Sequence, residues 1–262
     1  MTLFSSIDPL FIFSGFLVGL LVGQTGVGGG SLMTPILVLL FGVHPATAVG
    51  TDLLYASATK SVGTLVHGLN HTVEWRIVRR LATGSVPATI LTLVAISHFN
   101  VGGPTSSRII SLVLGLMLLL TAASLIFRRQ FLSLMGPVLD RVSTHQAARW
   151  TVVTGALLGC LVTLSSVGAG ALGVTALLLL YPKIPMARIV GSDIAHAVPM
   201  TFIAGAGHWW LGSVDLPLLA SLLSGSIPGI ILGSYVSAHI PDAVLRPLLA
   251  AVLCIVGGRL VF

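Results

Sequence analysis

Apolar residues along this chain neither alternate nor form a helical stripe; they continue in long runs broken by short polar gaps. The runs cover about 9–23, 25–42, 46–66, 77–97, 107–127, 148–164, 166–182, 187–207, 214–236 and 243–262. A helix that crosses the bilayer core needs about 20 mostly apolar residues. Each run is therefore read as a transmembrane or re-entrant helix, and the fold class as an all-α integral membrane protein. The longest polar gap, from Arg128 to about Gln146, divides the ten segments five and five. The expected organisation is a first five-helix repeat at 1–130, a cytoplasmic linker at 131–146 and a second repeat at 147–262.

The halves align with each other. Gly15 and Gly19 match Gly155 and Gly159, Val27-Gly28-x-Gly30 matches Val167-Gly168-x-Gly170, and Pro45 matches Pro185, all at an offset of 140. After one inserted residue, at an offset of 141, Gly50-Thr51-Asp52 matches Gly191-Ser192-Asp193 and His67 matches His208. At that offset Val73-Glu74 also matches Val214-Asp215, Gly84-Ser85-x-Pro87 matches Gly225-Ser226-x-Pro228, and His98 matches His239. An odd number of crossings per copy inserts the second copy upside down, so the expected architecture is a pair of inverted repeats.

Charge supports that topology. Cytoplasmic loops hold the Lys and Arg of a membrane protein. With both termini outside the cytoplasm, the cytoplasmic gaps and their margins carry Arg76, Arg79, Arg80, Arg128, Arg129, Arg141, Arg149, Lys183, Arg188 and Arg246. The opposite side carries only Arg108 and Arg259; Lys60, inside a segment, completes the 13. The basic gap at Arg76–Arg80 corresponds to a gap at 208–215 with no Lys or Arg. Inverted repeats are a hallmark of secondary transporters, whose two halves exchange places about a central site.

Composition narrows the classes further. Of 262 residues, 55% are hydrophobic and only 8% charged, with a mean hydropathy of +1.05; soluble domains carry roughly 25% charged residues. The excess of 13 basic over 7 acidic residues follows from the topology, so no nucleic-acid partner is expected. Cys160 and Cys254 lie in apolar runs, where a packed thiol is expected; neither a metal nor a cofactor is. No Lys or Arg precedes the first run and Asp8 stands where a signal peptide would be basic, so Phe11 onward is expected in the mature protein.

The sharpest candidate chemistry is Gly23-Gln24-Thr25-Gly26-Val27-Gly28-Gly29-Gly30-Ser31, with its partner Leu164-Ser165-Ser166-Val167-Gly168-Ala169-Gly170. Clustered glycines interrupt a helix, and the next helix begins with free amides and the positive end of its dipole. That is an anion site, with Gln24, Thr25, Ser31, Ser165 and Ser166 as further donors. The competing reading is close helix packing through small residues. A dinucleotide fingerprint is excluded, because Gly26-x-Gly28-x-x-Ser31 lacks its third glycine and any βαβ setting.

Asp52 and Asp193 sit inside apolar segments at equivalent positions. A carboxylate there is costly and faces the bundle interior. Either it carries a proton, with Thr51 and Ser192 beside it in coupling or gating, or it accepts bonds from helix N-termini. Lys60 either attracts the anion or snorkels to the membrane edge. His196, one turn after Asp193, is a candidate ligand, while His67 and His208 lie at segment ends. Trp75, Trp150, Trp209 and Trp210 read as interfacial anchors. The paired carboxylates lack a nucleophile or metal-ligand spacing beside them, so no enzyme activity is expected.

The run GQTGVGGGSLMTP at 23–35, followed by His44-Pro-Ala-Thr-Ala-Val-Gly-Thr-Asp52, resembles the signature of the TauE/SafE family. Ser166-Val-Gly-Ala-Gly170, with Pro185 and Gly191-Ser-Asp193, is similar to that family's second repeat, although Ala169 replaces Gly29 and Thr175 replaces Pro35. The resemblance covers nearly the whole chain. It implies a bacterial-type plasma-membrane carrier exporting sulfite, sulfoacetate or a related organosulfonate by alternating access, with proton coupling an option and an anion channel the rival. The expected partners are a small anion and the bilayer; a homodimer is compatible with the residues.

Overall fold

Local chemistry sets several helix starts. Asp8 accepts the Leu10 amide through Oδ1 at 2.9 Å, Pro45 supplies the preset φ of a first helical position, and Ser143 and Gln146 form a capping box. The computed structural model describes residues 8–25, 30–98, 104–139, 143–236 and 242–261. Within them lie α1 (Pro9–Thr25), α2 (Gly30–Leu39), α3 (Pro45–Leu69), α4 (Trp75–His98), α5 (Pro104–Leu139), α6 (Thr144–Ser165), α7 (Ala171–Leu180), α8 (Met186–Trp210), α9 (Leu216–Val236) and α10 (Asp242–Val261).

The chain is thus an all-helical, multi-pass membrane protein. Among the described residues, four helices, α4, α5, α6 and α8, are long and apolar enough to span a bilayer by length and composition. α3 equals α8 in length at 25 residues but carries more hydroxyls along with Asp52 and Lys60. Two segments differ clearly from the sequence expectation. α2 and α7 have 10 residues each, so each is about 15 Å long, half of a roughly 30 Å hydrocarbon core. The gap read from Arg128 is largely helical, since α5 continues to Leu139 and α6 starts at Thr144.

The main helix partnerships are α1 with α9, α4 with α6, α3 with α8 and α5 with α10. Exchanging residues 9–139 with 144–261 converts the first pair into the second and leaves the other two unchanged. The helix contacts are thus reciprocal between the two stretches. The reciprocity extends to single atoms. A Cβ on Gly15 would strike the Leu222 carbonyl, and one on Gly155 the equivalent Leu81 carbonyl; Gly19 stands likewise against Ser226 and Gly159 against Ser85. The Glu74 amide donates to Ser192 Oγ at 2.8 Å, and the Asp215 amide to Thr51 Oγ1 at 3.0 Å. Without a hydrophobic drive between helices in lipid, such close backbone approach is what lets them pack.

α3 and α8 hold the centre. Val49 and Leu53 of α3 are buried with Ala197, Met200 and Ala204 of α8. Trp75 starts α4 and Trp209 and Trp210 end α8, whereas Trp150, read as a segment end, lies in the second turn of α6; all four are exposed. Both cysteines are free, Cys160 partly buried and Cys254 exposed.

Candidate functional site

The break between α6 and α7 depends on backbone that favours glycine. Ser166 closes α6 in the left-handed region at φ 58°, and Gly168 and Gly170 follow at φ 118° and 117°. Ser165 secures this turn. Its Oγ donates to the Leu161 carbonyl at 2.7 Å and accepts the Val167 amide at 3.2 Å, so it shapes the break. The Ser166 hydroxyl instead faces Asp52 without completing a hydrogen bond.

Asp193 of α8 lies against the first turn of α7. The Gly170 amide faces its carboxylate, and a Cβ on Gly173 would collide with Oδ1, yet neither oxygen completes a hydrogen bond among the described residues. Asp52 of α3 meets α2, where Thr34 Oγ1 donates to Oδ2; Oδ1 has no such partner among the described residues. Each carboxyl therefore sits by the opening of a short helix, the placement that dipole and free amides favour. Both Asp52 and Asp193 are almost fully buried.

Lys60, two turns along α3 from Asp52, is 5% exposed and within electrostatic reach of both carboxyls. Among the described residues no carboxylate comes within 4 Å of its ammonium. His196 also lies within reach of Lys60; its Nε2 is 2.8 Å from Ser85 Oγ, while Nδ1 has no partner. The position equivalent to His196 is Tyr55, whose hydroxyl faces Ser226, the equivalent of Ser85, without a completed bond. At the crossing of α3 and α8 the structure thus gathers Asp52, Lys60, Asp193 and His196, with Tyr55 near Asp52 and turned toward α9.

Other candidates lie elsewhere. Thr51 and Ser192 accept the backbone amides that lead into α9 and α4. Adjacent residues on a helix do not face the same way, so these two point away from the carboxyls next to them. Gln24 and Thr25 close α1 and Gly30 and Ser31 open α2, whereas Gly26, Gly28 and Gly29 lie outside the described residues. His208 is buried with Nε2 2.9 Å from the Thr163 carbonyl, and His67 Nδ1 is 2.8 Å from Thr72 Oγ1; both secure helix ends.

With this geometry, the comparison with known proteins is direct. The family model described as sulfite exporter TauE/SafE matches residues 11–260. The chain belongs to the TauE/SafE family. Among its relatives is the probable membrane transporter protein YjnA of Bacillus subtilis (strain 168), 37% identical over 251 residues, covering 95% of this chain and 98% of that protein. A probable membrane transporter protein of Methanocaldococcus jannaschii is 25% identical over 95% of this chain and 93% of its own. No solved structure matches the chain.

Three members of this TauE/SafE cluster went unnoticed from sequence. Tyr55 and Ser85 could have been found, since they are the offset-141 partners of His196 and Ser226. Thr34 carried no signal, because its equivalent is Val174.

Proposed function

We propose that this TauE/SafE protein is a secondary transporter that exports a small sulfur-containing anion, such as sulfite, sulfoacetate or a related organosulfonate, by alternating access. The observation that carries this reading is a set of buried polar atoms without hydrogen-bond partners among the described residues: both Asp193 oxygens, Asp52 Oδ1 and His196 Nδ1, which lie within reach of Lys60, and Ser166 Oγ and Tyr55 Oη, which lie by Asp52. Buried polar groups are nearly always paired. A small oxyanion between the short helices would accept from Lys60, Tyr55, Ser166 and the first amides of α7 and α2. Asp193, held least, is the carboxyl that exchanges protons; Asp52, held by Thr34, fixes α2.

The two halves, 1–130 and 147–262, are the inverted repeats whose relative movement opens the site to either side. The reciprocal contacts of α1 with α9 and α6 with α4 support this. The basic side faces the cytoplasm of a bacterial-type cell, with both termini outside.

The test is flux in proteoliposomes. Purified protein should move sulfite or sulfoacetate saturably, with external substrate accelerating the exit of internal label. A non-saturating flux indifferent to counter-substrate would make it a channel, and no flux of any sulfur anion would end the proposal.

A further inference from the structure

At one end of the bundle, where α4 and α6 begin and α7 turns into α8, a cavity of about 460 Å³ opens. Arg76, Arg80 and Lys183 line it together with Glu74, beside apolar Ile77 and Leu180. Glu74 is already neutralised, since its Oε1 accepts Arg188 Nη1 at 2.5 Å. Among the described residues, no carboxylate stands within 4 Å of the three lining cations.

One of the cations is held in place. Arg80 Nη1 donates to Tyr181 Oη at 3.1 Å, and that oxygen is 2.7 Å from Thr151 Oγ1. A guanidinium has five N–H donors in a fixed fork, so this anchoring leaves donors for an anion. Arg76 and Lys183 are exposed at the rim.

Neither architecture nor topology accounts for this convergence. The equivalent positions in the other half are Pro217, Ser221 and Val43, none of them basic. The loop-charge rule asks for cations on a membrane face, not for three around one hollow with apolar walls. Trp75, the first residue of α4, and Trp150, in the second turn of α6, are both exposed near this end, which puts the mouth at headgroup depth, where aromatic belts lie. Basic pockets between spanning helices suit anionic headgroups.

We infer that this cavity binds a phosphate-bearing anion at the membrane surface, and that the bilayer supplies it as an anionic phospholipid. Arg80 and Arg76 take the phosphate oxygens, Lys183 adds charge, and Ile77 and Leu180 contact the glycerol and first acyl carbons. The site is separate from the transport reading and stands without it.

The test is lipid binding to delipidated, detergent-purified protein, followed by native mass spectrometry and thermal melting. Dioleoylphosphatidylglycerol should bind at least tenfold more tightly than dioleoylphosphatidylcholine and raise the melting temperature. The double variant Arg76→Gln/Lys183→Gln should lose at least tenfold of that binding, and the more conservative Arg80→Lys should lose part of it. The control Arg108→Gln/Arg259→Gln, which removes two exposed cations elsewhere, should bind as the parent does. Inorganic phosphate separates the sources: protection equal to that by lipid would keep the site but make its ligand a soluble anion. Equal binding of the two lipids, or undiminished binding by the double variant, would overturn the inference.

Discussion

Asp52 and Asp193 occupy equivalent places on α3 and α8, but they face different first turns. In the first half, Met33 and Thr34 follow the first turn of the short helix, and Thr34 donates to the carboxyl. In the second half the same positions hold Gly173 and Val174. Glycine there makes room for Asp193 to press against the helix, and valine offers no hydrogen. The single cation, Lys60, comes from the first half alone, since its equivalent is Thr201. Of the two equivalent carboxyls, Asp52 is bound by a hydroxyl and Asp193 completes no hydrogen bond among the described residues. This is how a symmetric scaffold can acquire one polar site with distinct roles on its two sides.

The largest effect is expected at Gly173. Gly173→Ala forces Asp193 or α7 to move, and misplacement by about 1 Å can cost about 100-fold in rate. Flux in proteoliposomes should fall by that order while the protein remains folded by thermal melt; parental flux would show that the close approach is incidental. Next comes Lys60→Gln, which removes the cation central to the site. Charged hydrogen bonds contribute roughly 1.5–3 kcal/mol, so anion affinity should drop about 10- to 100-fold, measured by thermal-shift titration with sulfite and sulfoacetate.

Two paired changes sharpen the contrast between the halves. Asp193→Asn should flatten the pH dependence of transport, whereas Asp52→Asn should keep its shape; matching profiles would remove the division of roles. Thr34→Val gives the first half the side chain of the second, and stability should fall by about 1.5–3 kcal/mol in a chemical or thermal melt. Its converse, Val174→Thr, supplies Asp193 with a donor and should slow pH-dependent flux. Smallest is Tyr55→Phe, which deletes one hydroxyl facing Ser226. A neutral hydrogen bond is worth about 1 kcal/mol, so substrate affinity should change about fivefold, with folding intact.

Much of the fold was legible because membrane segments are specified by long-range properties of composition. Ten apolar runs became ten helices among the described residues, and the offsets of 140 and 141 reappeared as paired contacts such as Gly15 with Leu222 and Gly155 with Leu81. Hydropathy did not give the length of α2 and α7, since an apolar residue reads alike in a helix, in a break and in the connection beyond it. Nor did it show α5 continuing to Leu139, because a polar stretch such as Arg128–Gln130 ends an apolar run without ending a helix.

The candidate site divides the same way. Asp52, Asp193, Lys60 and His196 stood out by themselves, because a polar group within an apolar run is costly and therefore conspicuous. Thr51 and Ser192 stood next to the carboxyls in the chain but turned away to meet the amides leading into α9 and α4. The residues alone were enough to read a helical, membrane-embedded TauE/SafE protein with two acids inside its apolar segments. The tertiary structure alone decided which side chains meet at the crossing of α3 and α8. Those meetings depend on helix rotation and on approach across more than a hundred residues, as between Ser85 and His196, and no local pattern encodes either.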